Sequence, residues 1–435
     1  MSTATPPAPH PVSTRPLRGG AGLALLEEGP TCAPRPAAEP EGRPQAGLLI
    51  GFGVLAVGLV WLVGAQHGAQ KAILLALGLG LGVALFHARF GFTSGWRQLV
   101  AVGNGAGVRA HAVLLGTTTT IAALLLGTGT GFFGSTPTPA AGSLGVALVV
   151  GAFLFGFGMQ LGGACASGTL FAVGSGQSGI LLTLGGFVTG SVLYAWAFPV
   201  LGDLPAFAPI VLGERIGWFG SWLVTIALLA LIVWGSRVLQ ARRNPPPTAP
   251  APTARGLARV WRGSWPMLVG AVVIGVLAGA VILVSGGIWG ITSAFTLWGT
   301  RLLQLAGLHP ETWDYWRQPA QARTLAAPVL SDKTTLTDIG IMIGAALAST
   351  AAGTWTLRHR VPLRTAVGAV LGGILLGVGA RLANGCNIGA YLGGISTGSV
   401  SGWVWGVAAL AGTWLGVKAR PLFGLGVPKA TDSVC

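Results

Sequence analysis

Residues 156–168 read GFGMQLGGACASG, and residues 377–389 read GVGARLANGCNIG. At an offset of 221 positions, the two stretches share a Gly-x-Gly start, a leucine, a cysteine and the glycine three residues after the cysteine. Each stretch ends an apolar run that is long enough to cross a bilayer. Self-similarity at a fixed distance indicates that the chain consists of two related halves.

A second duplicated element consists of residues 91–96, GFTSGW, and residues 290–295, GITSAF. In each half, the Thr-Ser element follows one apolar run and the Gly-Cys element ends another. The chain makes five crossings from the second apolar run to the seventh, and an odd number inverts the second half relative to the first. We therefore predict an all-α polytopic membrane protein that is built from two inverted repeats with broken or re-entrant Gly-Cys loops.

The composition agrees with a membrane protein and excludes several other classes. Charged residues make up 9% of the 435 residues and mean hydropathy is +0.70, whereas a soluble protein carries about 25% charged residues. The net charge of +15 comes from residues between the apolar runs, without interleaved aromatic side chains, so we expect no nucleic-acid partner. The four cysteines form no CxxC pair, and we expect no metal and no cofactor.

The apolar runs predict nine to ten transmembrane helices, because about 20 apolar residues cross the hydrocarbon. The ten candidate spans are 46–65, 72–88, 109–127, 144–162, 179–201, 217–236, 266–288, 338–356, 363–382 and 399–418. The corresponding organisation is a disordered cytosolic tail (1–45), a first membrane half (46–236), a basic proline-rich cytosolic linker (237–265), a second membrane half (266–420) and a C-terminal tail (421–435).

The distribution of basic residues predicts the orientation in the membrane. With ten crossings, 19 of the 26 lysines and arginines lie on the side that carries both termini and the linker. Lysine and arginine are enriched in cytoplasmic loops. We therefore predict a multi-pass protein of the bacterial inner membrane with both termini in the cytoplasm. The Cys165 segment then approaches from the cytosolic face, and the Cys386 segment approaches from the outer face.

Each Gly-Cys element contains glycines, which interrupt a helix, and a cysteine thiol beside them. Irregular backbone is tolerated at membrane depth only where it is buried in protein or lines a cavity, and the N–H groups at a helix start favour an anion. Close helix packing through small residues is the alternative interpretation, but packing does not require a cysteine at matched positions. A neutral thiol is a weak donor that can contact a soft sulfur anion and release it, as conduction requires.

The charged residues inside the repeats are few. All eleven Asp and Glu residues fall in predicted tails, loops or span ends, with Asp338 at a span edge, so the sequence predicts no intramembrane carboxylate for proton coupling. Arg381 lies five residues before Cys386. It either attracts an anion at the outer mouth or extends its side chain to the interface, and Gln160 occupies the mirrored position.

These segments resemble the sulfur-transport (YeeE/YedE) family. The resemblance lies in RFGFTSGWR at 89–97, the element around Cys165, WGITSAF at 289–295 and NGCNIG at 384–389. It implies an hourglass of inverted halves in which thiosulfate passes between cysteine thiols, and some family members deliver it to a small cytosolic sulfur-carrier protein. Family members often carry a cysteine in the first Arg-Phe-x-Phe element, where this chain has Gly91.

The function predicted from these observations is a permease, not an enzyme, that imports a small sulfur-containing anion, with thiosulfate as the first candidate. Two alternatives stay open: an intramembrane thiol oxidoreductase, and a transporter of a selenium compound or another small anion. The predicted path residues are the thiol stations Cys165 and Cys386, the turn glycines Gly163, Gly168, Gly385 and Gly389, the polar contacts Ser167, Asn384 and Asn387, the vestibule residues Thr93, Ser94, Thr292 and Ser293, and Arg381.

Overall fold

A computed structural model describes residues 43–245, 256–357 and 361–429 of the chain. Most of the predicted N-terminal tail, residues 246–255 of the predicted linker and the end of the predicted C-terminal tail lie outside these ranges. Cys32 and Cys435 lie outside them as well, so the structure bears only on Cys165 and Cys386 among the cysteines.

The first part of the chain forms helices that are separated by glycine-containing turns. Gly68, with φ +86°, ends one helix and begins the next, a conformation that glycine adopts without steric cost. The helices are α1 (Ala46–His67), α2 (Ala69–His87), α3 (Phe92–Val102), α4 (Ala106–Thr128), α5 (Val146–Leu161), α6 (Ala166–Gly174), α7 (Ile180–Trp196), α8 (Phe198–Leu201) and α9 (Leu212–Arg243).

The second part repeats this pattern with different connections. Its helices are α10 (Ala258–Arg262), α11 (Met267–Ser285), α12 (Thr292–Leu305), α13 (Asp314–Arg317), α14 (Pro319–Ala326), α15 (Lys333–Ala351), α16 (Leu363–Leu382), α17 (Gly393–Ser396) and α18 (Val400–Ala419). A π-helical turn, Asn387–Leu392, precedes α17, and short 3-10 turns cover Pro310–Thr312, Val329–Ser331 and Arg420–Phe423. Two short antiparallel strands are β1 (Leu144–Gly145) and β2 (Ala206–Phe207).

The helices confirm an all-α polytopic membrane protein. Within the described ranges, nine helical segments are long and apolar enough to cross a bilayer, and α7 is a shorter apolar helix of 17 residues. Each of the ten predicted spans overlaps a helix. Helix α9 continues to Arg243, so the helix includes the first residues of the stretch that was predicted as linker.

One predicted span is misplaced. The chain at 338–356 was predicted to cross the membrane, but α15 begins at Lys333 and ends at Ala351. The physical reason is the cap before the helix, because the Asp332 Oδ2 accepts a hydrogen bond of 2.7 Å from the Thr335 backbone N–H. A capping carboxylate fixes a helix start. Asp338 therefore lies inside the helix and not at the edge of a span.

Matched helices of the two parts run in opposite directions. Along α5, Gly151 lies against Gly379 and Leu382, whereas Gly162 lies against Gly372. The residue numbers of α5 rise as those of α16 fall, so these two matched helices are antiparallel. Helices α2 and α11 are antiparallel for the same reason, because Gly80 faces Leu277 and Gly270 faces Ala88. This is the relation that an inverted repeat requires.

The contacts between helices follow the same symmetry. Helix α5 packs against α18 as α16 packs against α7, and α2 packs against α15 as α11 packs against α4. Helices α1 and α9 lie at the periphery, where α1 contacts α2 and α15, and α9 contacts α4. Side chains such as Val57 and Phe219, 71% and 75% exposed, cover α1 and α9 with apolar surface that suits lipid.

Glycines set the spacing of the buried helix pairs. A Cβ atom on Gly156 of α5 would overlap the backbone carbonyl of Ala409 on α18, and one on Gly412 would overlap the carbonyl of Phe153. Gly344 of α15 is equally close to the Leu79 carbonyl of α2. Contacts of this kind bring backbones together without side chains between them, so the core helices of the two halves are interlocked.

We predict that Gly156→Ala lowers the stability of the protein by about 1–3 kcal/mol, the usual cost of overpacking. Gly185→Ala is the matched control, because its added Cβ meets no atom within 4 Å. Thermal unfolding of both variants in detergent measures the difference. Equal unfolding midpoints would show that the backbone contact between α5 and α18 does not limit stability.

Candidate functional site

Cys165 lies in a tight turn at the start of α6. The turn leaves α5 after Leu161, and Cys165 takes an extended conformation (φ −83°, ψ −174°) directly before the new helix. Its carbonyl oxygen accepts hydrogen bonds from the Thr169 backbone N–H at 2.8 Å and from the Thr169 hydroxyl at 2.9 Å. The Cys165 Sγ is 3.5 Å from the Ser167 Oγ, so the predicted thiol and hydroxyl are neighbours.

Cys386 occupies the corresponding turn between α16 and the π-helical turn. Its backbone is extended (φ −104°, ψ −165°), and its Sγ accepts a hydrogen bond of 3.4 Å from the Ile388 N–H. The Cys386 carbonyl accepts hydrogen bonds from the N–H groups of Ala390 and Tyr391. Sharing one carbonyl between two donors widens the first helical turn, as in π-bulges at functional sites.

The two thiols lie in the same buried core. Each cysteine is 1% exposed, and neither forms a disulfide within the described residues. Helix α6 contacts the π-helical turn, and Cys165 lies within electrostatic range of the Cys386 thiol. Two segments that enter from opposite directions therefore place their sulfur atoms in one region of the protein interior, away from the lipid-facing surface.

The turns before the cysteines use matched left-handed residues. Gly163 has φ +81° and Asn384 has φ +57°, and the two residues correspond at the repeat offset of 221. Asparagine is one of the few non-glycine residues that enter this region readily. Gly385, with φ +143°, adds a second position that favours glycine in the Cys386 turn only.

Space and unpaired polar atoms surround the Cys386 turn. A Cβ on Gly389 would meet nothing within 4 Å, whereas one on Gly168, the mirrored residue, would lie 3.4 Å from the Cys165 Sγ. Asn387 is 0% exposed, yet its amide oxygen and nitrogen have no hydrogen-bond partner in the structure. Unpaired buried polar atoms are rare in folded proteins, so these atoms indicate a place where a polar ligand can bind.

The two Thr-Ser elements have the same arrangement in both halves. Thr93 and Thr292 are buried, and the serine that follows each threonine is exposed. Ser94 donates a hydrogen bond to the Gly91 carbonyl at 3.2 Å, and Ser293 donates one to the Thr334 hydroxyl at 3.0 Å. The serines are thus the accessible members of the two elements, and the threonines are the enclosed ones.

Two residues at mirrored positions of the repeat each donate a hydrogen bond to the threonine of the same half. Gln160 Nε2 donates a hydrogen bond of 3.3 Å to the Thr93 carbonyl, and Arg381 Nη2 donates one of 2.7 Å to the Thr292 Oγ1. Arg381 is half-buried, and its guanidinium contacts the buried Thr292. Sequence reasoning missed Arg420, which is 6% exposed and donates a hydrogen bond of 2.6 Å to the Gln160 carbonyl.

A row of aromatic rings connects the two halves. Trp96 of α3 contacts Trp405 at 6.3 Å between ring centres, and its mirrored residue Phe295 contacts Phe187 at 4.9 Å. Phe155 contacts both Trp405 and Phe187, which makes the row continuous. Packed rings of this kind exclude water and hold their neighbours rigidly.

The structure corrects the prediction that no carboxylate lies within the membrane. Asp338 is inside α15 and 0% exposed, and neither carboxyl oxygen has a hydrogen-bond partner among the described residues. The misplaced helix start explains the error, because a span that begins at residue 338 puts the carboxylate at an interface. Asp338 and the Cys386 thiol lie within electrostatic range of each other.

We predict that Gly163→Ala destabilises the protein by about 1–2 kcal/mol, the cost of a left-handed residue with a Cβ. Gly163→Asn should cost less, because Asn384 already has this conformation at the mirrored position. Neither substitution meets a steric obstacle at the Cβ, since no atom lies within 4 Å. Thermal unfolding compares the two variants, and an asparagine variant less stable than the alanine variant would contradict the matched backbone.

The chain is similar to several proteins that are named as transporters. The chain is 32% identical over 154 residues to "Probable transporter YedE" of Escherichia coli (strain K12), a match that spans 35% of the chain and 37% of that protein. It is 26% identical over 285 residues to "Thiosulfate transporter TsuA" of Spirochaeta thermophila, and this match spans 61% of the chain and 75% of that protein. It is 24% identical to "Thiosulfate transporter TsuA" of Escherichia coli over 78% of the chain and 92% of that protein.

The sequence model of the family described as "Sulphur transport" matches residues 87–415. This range includes both Thr-Ser elements and both Gly-Cys elements, and it extends over well more than half of the chain. The resemblance that the motifs indicated is therefore confirmed, and the chain belongs to the sulfur-transport (YeeE/YedE) family.

Proposed function

We propose that this protein is a permease that imports thiosulfate across the bacterial inner membrane. The observation that carries the proposal is the pair of buried thiols on two oppositely directed turns within electrostatic range of each other. Family membership and the names of two relatives support a sulfur-containing anion as the cargo. A selenium compound is the alternative cargo, and competition with labelled thiosulfate separates the two.

Each thiol would act as a hydrogen-bonding station. A neutral S–H group donates weakly to a soft sulfur or oxygen atom, so it lowers the desolvation cost of the anion without binding it firmly. Ser167 beside Cys165 and the unpaired Asn387 amide beside Cys386 would supply stronger donors. Binding strong enough for entry and weak enough for release is what a conducting path requires.

The guanidinium groups would attract the anion to the two ends of the path. Arg381 contacts Thr292 in one half, and Arg420 contacts Gln160 in the other. A positive charge near a low-dielectric opening raises the local concentration of an anion. The direction follows from the predicted orientation, in which the Arg381 side faces outward and both termini lie in the cytoplasm.

We propose a small cytosolic sulfur-carrier protein as the acceptor of the imported anion. A cavity of about 520 Å³ on the side that carries the end of α9 is lined by Arg109, Arg237 and Gln240. A basic surface of this kind suits an acidic partner. Co-purification of such a carrier with the full chain tests this part of the proposal, and its absence from the purified complex would contradict it.

We predict that Cys165→Ala and Cys386→Ala each reduce uptake of ³⁵S-labelled thiosulfate by about tenfold or more. A hydrogen bond to a charged group contributes about 1.5–3 kcal/mol, a weak thiol donor lies at the lower end of this range, and 1.4 kcal/mol corresponds to a factor of ten. Uptake is measured in cells that have no other importer of thiosulfate. The matched control is Cys32→Ala combined with Cys435→Ala, which should leave uptake unchanged.

Undiminished uptake in both Cys165→Ala and Cys386→Ala would overturn the proposal. Trapping of either cysteine in a mixed disulfide during turnover would instead favour the thiol oxidoreductase, because exchange chemistry passes through that species. Mass spectrometry of the protein after rapid alkylation detects the mixed disulfide.

A further inference from the structure

Asp338 is a buried titratable group that the proposed function does not use. It lies in the second turn of α15, is 0% exposed and has no hydrogen-bond partner for either oxygen. Helix α15 packs against α2 and α6, and α6 starts directly after Cys165. The carboxyl group is therefore on a helix that packs against the helix following Cys165, and it lies within electrostatic range of the Cys386 thiol.

Charged side chains of both signs lie on α15 and on the elements packed against it. The groups that bear on it are the Asp332 carboxylate, one and a half turns earlier, and the Cys386 thiol. None of the other charged or titratable side chains on α15 or on the elements packed against it forms a hydrogen bond with the Asp338 carboxyl within the described residues: Lys333 on α15 itself, and His67, Lys71, His87, Arg259, Arg262 and Arg301 on its neighbours.

A carboxylate without partners is unfavourable in this environment, because the loss of hydration is not compensated. The neutral carboxyl is thus the form that this arrangement favours. An anion beside Cys386 adds a negative charge within electrostatic range and disfavours the carboxylate further. By linkage, the anion strengthens proton binding at Asp338, and the bound proton strengthens anion binding by the same factor.

We propose that Asp338 is a proton-binding residue that couples passage of the anion at Cys386 to passage of a proton in the same direction. This inference rests on the proposed function and names the proton gradient as the driving force for uptake of the anion. A proton from the outer solution binds one carboxyl oxygen, the anion passes, and the proton leaves to the cytoplasm. No covalent bond of the anion changes. Intramembrane carboxylates serve as proton sites in many pumps and transporters.

The test uses the full-length chain in proteoliposomes with valinomycin and equal potassium concentrations inside and outside, so that the membrane potential is held at zero. An inside-alkaline gradient of one pH unit is imposed, and ³⁵S-labelled thiosulfate is followed. The wild type should accumulate thiosulfate to about ten times the level reached without a gradient, because one proton per anion at one pH unit corresponds to 1.36 kcal/mol.

Asp338→Asn keeps the size of the side chain and removes the proton site. We expect this variant to exchange labelled for unlabelled thiosulfate across the membrane but to show no accumulation in response to the gradient. The matched control is Asp314→Asn, the same substitution at an exposed residue of α13, which should accumulate like the wild type. A variant Asp338→Asn that accumulates thiosulfate to the wild-type level would overturn the inference.

A second measurement needs only the wild type and so does not depend on the folding of the variant. A pH dye outside the vesicles should report one proton entering with each thiosulfate. Exchange of thiosulfate without proton entry would overturn the role of Asp338 and leave the proposed permease intact. Absence of any thiosulfate exchange would overturn the proposed function, and this inference with it.

Discussion

The backbone of a membrane protein must satisfy its own hydrogen-bonding groups, and this constraint governs where the chain can leave the helical conformation. The turns at Cys165 and Cys386 are tolerated because surrounding helices enclose them. Within the turns, Thr169 bonds the Cys165 carbonyl, and the N–H groups of Ala390 and Tyr391 bond the Cys386 carbonyl. Each cysteine therefore lies where the chain breaks its helix but retains backbone hydrogen bonds.

The sequence predicted the elements whose signals are local. Apolar runs gave every spanning helix, and the duplicated Gly-Cys and Thr-Ser motifs gave the inverted pairing and the burial of both cysteines. Gln160 and Arg381 correspond in the alignment of the Gly-Cys elements. They contact Thr93 and Thr292, which correspond in the alignment of the Thr-Ser elements, so the structure agrees with both alignments. The start of α15 was not predicted, because hydropathy does not register the single hydrogen bond by which Asp332 caps the helix.

Other features depend on contacts between distant residues, which periodicity cannot show. Arg420 follows the last helix and looks like a tail residue, yet it bonds the carbonyl of Gln160. The row from Trp96 through Phe155 to Phe295 joins rings that lie far apart along the chain. An alternating pattern or a short motif carries no information about such contacts, because tertiary packing decides which side chains meet.

The glycine contacts have a mechanical consequence. Gly156 of α5 lies against the carbonyl of Ala409 on α18, and Gly344 of α15 lies against that of Leu79 on α2. Helices in such contact have little room to slide, since any shift of register drives a side chain into the neighbouring main chain. Rocking of one half over the other would have to separate these surfaces. The buried helix pairs thus form a stiff frame around the two cysteine turns.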